Sequence, residues 1–277
     1  MRGAALVIIC LLAAGCGGGS ERALTTTETK AKRQAAPAVE PEIRVADLAN
    51  GRANLDRADL VVVPPGTRGV EELAREHPDA HFLLIGTPYE RAPGPNVAGV
   101  LFRDDEAAYL AGVVAGLVTS GEGTLDPGVA WVGGRRIAVA DAFERGVHGV
   151  DPAVRVAKKW TETEPALCKE AALDEVARGA SVLLTGTGAC ADGVLAAARE
   201  QNAVGLSLGD FERPEVAVGQ FVRDARQGLF HGGENVVFGT ASGAVGVGKL
   251  DPRVPAEAVA EARAVEQELA AGLRSPG

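Results

Sequence analysis

The chain has 277 residues, a formal net charge of −9, 46% hydrophobic residues and 23% charged residues. That length supports one large or two small domains with substantial cores. The acidic balance, the absence of a basic stripe and an aromatic content of only 4% argue against a nucleic-acid surface or a base-stacking platform.

Met1-Arg2-Gly3 is a short basic start, and Ala4 to Leu12 is an apolar run interrupted only by Cys10. A run too short to span a bilayer, ending in Ala13-Ala14-Gly15 before Cys16, reads as an export signal and not as a membrane helix. The pattern resembles the lipobox of bacterial lipoproteins. That resemblance implies cleavage of residues 1–15 and a diacylglycerol on the Cys16 sulfur, placing the protein on the extracytoplasmic face of a cell membrane. The alternative is an ordinary secretory signal with a coincidental cysteine. Residues 16–40 then form a linker, with flexible Gly17-Gly18-Gly19-Ser20 and no apolar period over residues 21–40. As a coil it reaches on the order of 25–30 Å.

Residues 41–277 alternate short apolar runs with helical patterns. The first expected strands are Ile43–Ala46 and Asp59–Val63, the second ended by Pro64-Pro65. A helix over Thr67–Glu76 has Thr67 as its N-cap. Strands at His81–Gly86 and Val97–Phe102 precede a helix over Asp104–Thr119. Then come a strand at Val129–Val132, a helix at Val139–Val150 and a strand at Val154–Trp160. A helix over Pro165–Arg178 stops at Gly179. Ser181–Thr185, Cys190–Gln201 and Ala203–Leu208 continue the alternation. Glu215–Val218 reads as a short strand leading into a helix that ends near Phe230. Asn235–Phe238 is a strand, and Pro255–Leu273 a terminal helix with Pro255 in its first turn. Alternating strand and helix implies a doubly wound, parallel α/β architecture, here in two units of similar size with a cleft between them. Ligands in such sheets sit at the carboxyl ends of strands, against helix N-termini.

Of four cysteines, Cys168 and Cys190 remain after the signal and Cys16 are set aside. Each lies near the start of one of two consecutive helices, just past the carboxyl end of a strand. In an exported protein these two are expected to pair, fixing two cleft-lining loops; two buried thiols are the alternative. No CxxC, HExxH or paired-histidine spacing is present, so no metal is expected. His77, His81, His148 and His231 are scattered.

Two motifs suggest other chemistry. Gly186-Thr187-Gly188-Ala189-Cys190-Ala191 matches G-x-G-x-x-A, with Asp210 some twenty residues on. It lies late in the chain rather than in a first β-α unit, so it reads as a close-approach turn with free N–H groups and not as a dinucleotide site. Gly205-Leu206-Ser207-Leu208-Gly209 matches the nucleophile elbow, yet a loop comes next where a helix must. No cofactor and no enzymatic activity are expected.

The stretch Val100-Leu101-Phe102-Arg103-Asp104-Asp105-Glu106-Ala107-Ala108-Tyr109-Leu110-Ala111-Gly112 resembles the basic membrane protein family. The likeness continues through Trp131-Val132-Gly133-Gly134, Phe143-Glu144-Arg145-Gly146-Val147 and Asp151-Pro152, resumes over Gly188–Gly193, and spans about residues 58–240. Those proteins are purine-nucleoside-binding lipoproteins of ABC importers. They have the type I periplasmic-binding fold of two α/β lobes joined by crossover segments. The chain departs from them at its start, where the first β-α unit is missing. It also has Gly188-Ala189-Cys190-Ala191 where the family has Gly-Gly-Thr-Gly. The resemblance implies a lipid-anchored solute-binding protein, with an ABC permease and a small solute such as a nucleoside as partners. The alternative is an envelope adaptor or sensory lipoprotein that binds no solute. The expected ligand-binding residues are Asp104, Asp105, Gly188, Asp210 and Phe211. The acids would accept sugar hydroxyls, Gly188 would allow close backbone approach, and Phe211 would stack on a base.

Overall fold

Runs of Val, Leu and Ile bounded by Gly and Pro form two parallel sheets, and the alanine-rich amphipathic stretches between them form the covering helices. The computed structural model describes residues 42–48, 55–86, 94–121, 127–230 and 232–277, all within one unit, Glu40–Gly277. The expected signal, Cys16, the whole linker and His231 lie outside the described residues.

The first sheet contains β1 (Val45–Asp47), β2 (Leu60–Val63), β3 (His81–Ile85), β4 (Val97–Phe102) and β9 (Asn235–Phe238), in that spatial order and all parallel. Its helices are α1 (Val70–Glu76) and α6 (Pro214–Arg226). The second sheet has β5 (Gly128–Gly133), β6 (Arg155–Trp160), β7 (Ala180–Thr185) and β8 (Val204–Ser207), in the order β6-β5-β7-β8. Its helices are α2 (Asp104–Gly121), α3 (Ile137–Val150), α4 (Pro165–Ala177), α5 (Ala189–Glu200) and α7 (Ala256–Ala270). Winding reverses between β5 and β7, which makes a switch point in the second sheet. The first sheet has no reversal among its described strands, which lie side by side in chain order.

Two local expectations give way to better-satisfied alternatives. Thr67 does not cap α1; its hydroxyl donates to the Pro64 carbonyl, and the helix starts only after Gly69, whose φ of 76° is open to glycine. Glu215–Val218 is not a strand. Pro214 opens α6 directly, and Ala217 and Phe221, four residues apart, bury one helical face. Phe221 meets Phe230 and Phe238 in tilted ring contacts that seat α6 on the first sheet.

Helices α2 and α3 pack closely because Gly112 faces Gly146. A Cβ on either would run into backbone of the other helix, Phe143 in one case and Tyr109 in the other. The glycines of the 100–112 and 143–147 motifs are therefore packing requirements. Trp131 and Phe143 lie fully buried in the same apolar cluster. On the opposite face of the second sheet, Gly193 of α5 lies against the Pro165 carbonyl of α4, and a Cys168–Cys190 disulfide joins the first turns of these helices.

The chain passes between lobes three times: at Arg103 from β4 into α2, through residues 208–213 from β8 to α6, and after β9 toward α7. The second and third passages pair with each other. Arg213 N–H donates to Ala244 O at 2.8 Å, and Gly246 N–H donates to Phe211 O at 2.8 Å. Glu212 and Val245 form an antiparallel bridge. The Arg213 guanidinium donates to the Gly243 and Val247 carbonyls and pairs with Glu266 at 2.9 Å, while Glu266 accepts the Val247 N–H at 2.8 Å. Glu106 ties the first passage to the third by accepting the Thr240 N–H at 2.6 Å.

Candidate functional site

The carboxyl ends of both sheets face a cavity of about 350 Å³ at these passages. Gly86, Leu101 and Phe102 bound it from the first lobe, Asp104 and Glu212 from the passages, and Arg136 and Thr187 from the second lobe. Two glycine turns shape the second-lobe wall at its switch point. One, Gly133-Gly134-Arg135-Arg136, runs from β5 into α3; the other, Gly186-Thr187-Gly188, runs from β7 into α5. Gly188 has φ +96° and open space where a Cβ would stand, a conformation that suits glycine alone. Behind these turns, the Trp131 Nε1 and Thr185 Oγ1 atoms are buried without a hydrogen-bond partner among the described residues. The Thr185 oxygen lies 3.6 Å from the position of a Cβ on Gly133.

Three charged side chains, Asp104, Arg136 and Glu212, line the cavity. Asp104, in the first turn of α2, pairs with Arg136 just before α3. Glu212 has no such cation among the described residues. Burial pushes its carboxyl up to about 7, the charge of Asp104 adds to the rise, and Arg136 opposes it.

The sequence-predicted residues divide. Asp104 lines the cavity. Asp105 turns outward into a two-pronged pair with Arg103, at 2.9 and 2.7 Å, which holds its carboxyl below the usual range. Gly188 stands beside the lining residue Thr187 as the N-cap of α5. Asp210 turns back to accept the Ser207 N–H at 2.7 Å in a capping box over a single 3-10 turn, Leu208–Phe211. Burial raises its carboxyl despite that bond. Phe211 is fully buried in the main apolar cluster, so its ring packs in the core instead of standing free in a loop. The capping box also accounts for Ser207, whose hydroxyl is a cap and is followed by a turn rather than an elbow helix. Among the described residues no group of histidine, cysteine or acidic side chains is placed to hold a metal.

Sequence reasoning missed Arg136, Thr187 and Glu212. Arg136 was legible as the polar residue between a strand-ending Gly-Gly and a helix start. Thr187 lay inside the glycine turn already singled out. Glu212 carried no local signal, since its position depends on the bridge to Val245.

Two parallel α/β lobes, three crossover segments and a polar cleft at the strand ends define a two-lobed solute-binding fold. A family model described as "ABC transporter substrate-binding protein PnrA-like" matches residues 68–212, more than half of the chain. The chain belongs to this family of ABC-transporter solute-binding proteins, in agreement with the resemblance at residues 100–112. Among curated relatives, the CD4+ T-cell-stimulating antigens of Listeria innocua and Listeria monocytogenes are each 23% identical over 239 residues. Those matches cover 73% of this chain and 65% of the relatives' length. An ABC transporter solute-binding protein of Aeropyrum pernix K1 superposes with a TM-score of 0.55 at 20% identity, over 79% of this chain and 76% of that one. A transcriptional activator of the comK gene from Bacillus halodurans gives 0.57 at 15%, covering 83% of each. At these identities the structures share the fold alone.

Proposed function

We propose that this protein is a lipid-anchored, extracytoplasmic solute-binding protein that closes its two lobes around a small polar ligand, a nucleoside or a related molecule, and presents it to an ABC permease. The observation that carries this reading is the polar cavity of about 350 Å³ where both sheets' strand ends meet three crossovers. Asp104, Arg136, Thr187 and Glu212 supply hydrogen-bonding groups to it, and Gly188 opens the backbone beside it. The lipobox-like Leu12-Ala13-Ala14-Gly15-Cys16 supports the anchor. Among the described residues no helix is long and apolar enough to cross a membrane.

The test is thermal unfolding of the mature domain with a panel of nucleosides, bases and sugars. A solute at a hundredfold excess over its Kd stabilises the folded state by about 2.7 kcal/mol, a readily measured rise in Tm. A second reading, an adaptor that binds no solute, is favoured by the first sheet, whose described strands have no switch point in their order. No rise with any panel member, and no co-purified ligand by native mass spectrometry, selects that reading.

A further inference from the structure

The charge balance of the cleft bears on the chemistry of its ligand. Glu212, Asp104 and Arg136 line one cavity, and Arg136 is already paired with Asp104. Of the other arginines, Arg135 beside Arg136 is exposed to solvent, and two in the passages between lobes are engaged elsewhere. Arg213, the next residue, turns to Gly243, Val247 and Glu266, and Arg103 is held by Asp105 and Glu106. Thr187 is the neutral polar side chain of the lining, and Val245, bridged to Glu212, contributes no charge. That bridge pins the Glu212 main chain, so its carboxyl is fixed at the crossover about which the lobes close.

With both acids ionised, the three side chains carry one uncompensated negative charge in a half-buried cavity. Closing the lobes over a solute removes water from it. A neutral solute would leave Glu212 either ionised without a cation, which is costly in a dry site, or protonated. A solute bearing a cationic nitrogen avoids both outcomes and forms charge-assisted hydrogen bonds.

We infer that the solute presents a protonated amine or guanidine to Glu212 and Asp104, with the rest of the molecule against Arg136, Thr187 and the glycine turns. This rests on the solute-binding reading above and narrows its ligand class. The raised Glu212 carboxyl agrees with it: near pH 7 the open site holds a fraction of a proton, which a cationic ligand expels.

The experiment is isothermal titration of the mature protein at pH 7 in phosphate and in Tris. The probes are adenosine, 5′-amino-5′-deoxyadenosine, ribose and agmatine. The expected result is that an amine- or guanidine-bearing probe binds at least about tenfold more tightly than adenosine and ribose, with net proton release. Glu212→Gln removes both the preference and the release, whereas Glu212→Asp keeps the release; circular dichroism checks that both variants fold. If a neutral probe binds as tightly as the cationic ones, the amine assignment is overturned and the solute-binding reading stands. The assignment also falls if Glu212→Gln leaves the preference intact. If no probe binds, the assignment falls, and the separate panel of nucleosides, bases and sugars decides the solute-binding reading.

Discussion

At the scale of single residues, Glu212 carries the largest consequence. Its ordinary carboxyl value is 4.5, and in the folded protein burial moves it to about 7. Protonation therefore favours the folded state. The ligand-free protein is least penalised below pH 4.5, loses stability as pH rises from 4.5 to about 7, and carries the full penalty above that. Replacing the acid by Gln removes the penalty. Glu212→Gln should raise unfolding stability by about 2 kcal/mol at pH 8 and change it little at pH 4; urea titrations at both pH values read the difference. Asp104 was legible because three acids at a helix start, just past a strand, mark a cleft position in any α/β sheet. Asp105 carried the same signal and Asp210 stood in a turn after a strand, yet their neighbours took them: Arg103 engages one, and the Ser207 backbone the other. A carboxylate beside a cleft binds whichever donor reaches it first, and the linear pattern does not rank those donors.

At the scale of elements, the alternation of apolar runs and helical periods located nearly every strand and helix, because both periods are written in consecutive residues. The failures occurred where a short stretch satisfied two patterns. Glu215–Val218 alternates like a strand, but burial of Phe221 one turn further on favours helix from Pro214. Glycine also acts at this scale. Gly112 lets α2 approach α3 until backbone meets backbone, and a methyl group there has no space. Gly112→Ala should lower stability by about 3 kcal/mol with the secondary structure retained, measured by thermal unfolding and far-ultraviolet circular dichroism. A small change from this substitution would mean that the helices separate at little cost. The Cys168–Cys190 bridge belongs to the same scale. The strands that precede α4 and α5, β6 and β7, are not neighbours but flank β5 in one parallel sheet; α4 and α5 pack against each other on one face, Gly193 against the Pro165 carbonyl, so the two helix starts meet.

For the whole molecule, the three passages between lobes are joined by groups far apart in the chain. Arg213 holds two carbonyls of the β9–α7 segment and the Glu266 carboxylate, and Glu106 holds the Thr240 N–H. Arg213→Ala leaves Glu266 half-buried without its cation. It should cost about 3 kcal/mol and let the lobes separate more widely, seen as a larger radius of gyration in small-angle X-ray scattering. An unchanged scattering profile would assign lobe orientation to the main-chain bonds between the passages and to Glu106 instead.

The amino-acid sequence by itself determined the α/β class, the two-lobed plan, the family, the cysteine pairing and the cleft position of Asp104. Each of these rests on periodicity, on motif spacing or on the rule that strand ends and helix starts share an edge. Only the tertiary structure decided that Phe211 belongs to the core, that Asp210 is a cap, and that Arg136 and Glu212 face one cavity. It also showed that, among the described strands, the switch point lies in the second sheet. The physical reason is that burial and charge pairing depend on through-space neighbours. Glu212 is poised as it is because Val245, Asp104 and Arg136 converge on it from three separate stretches of chain.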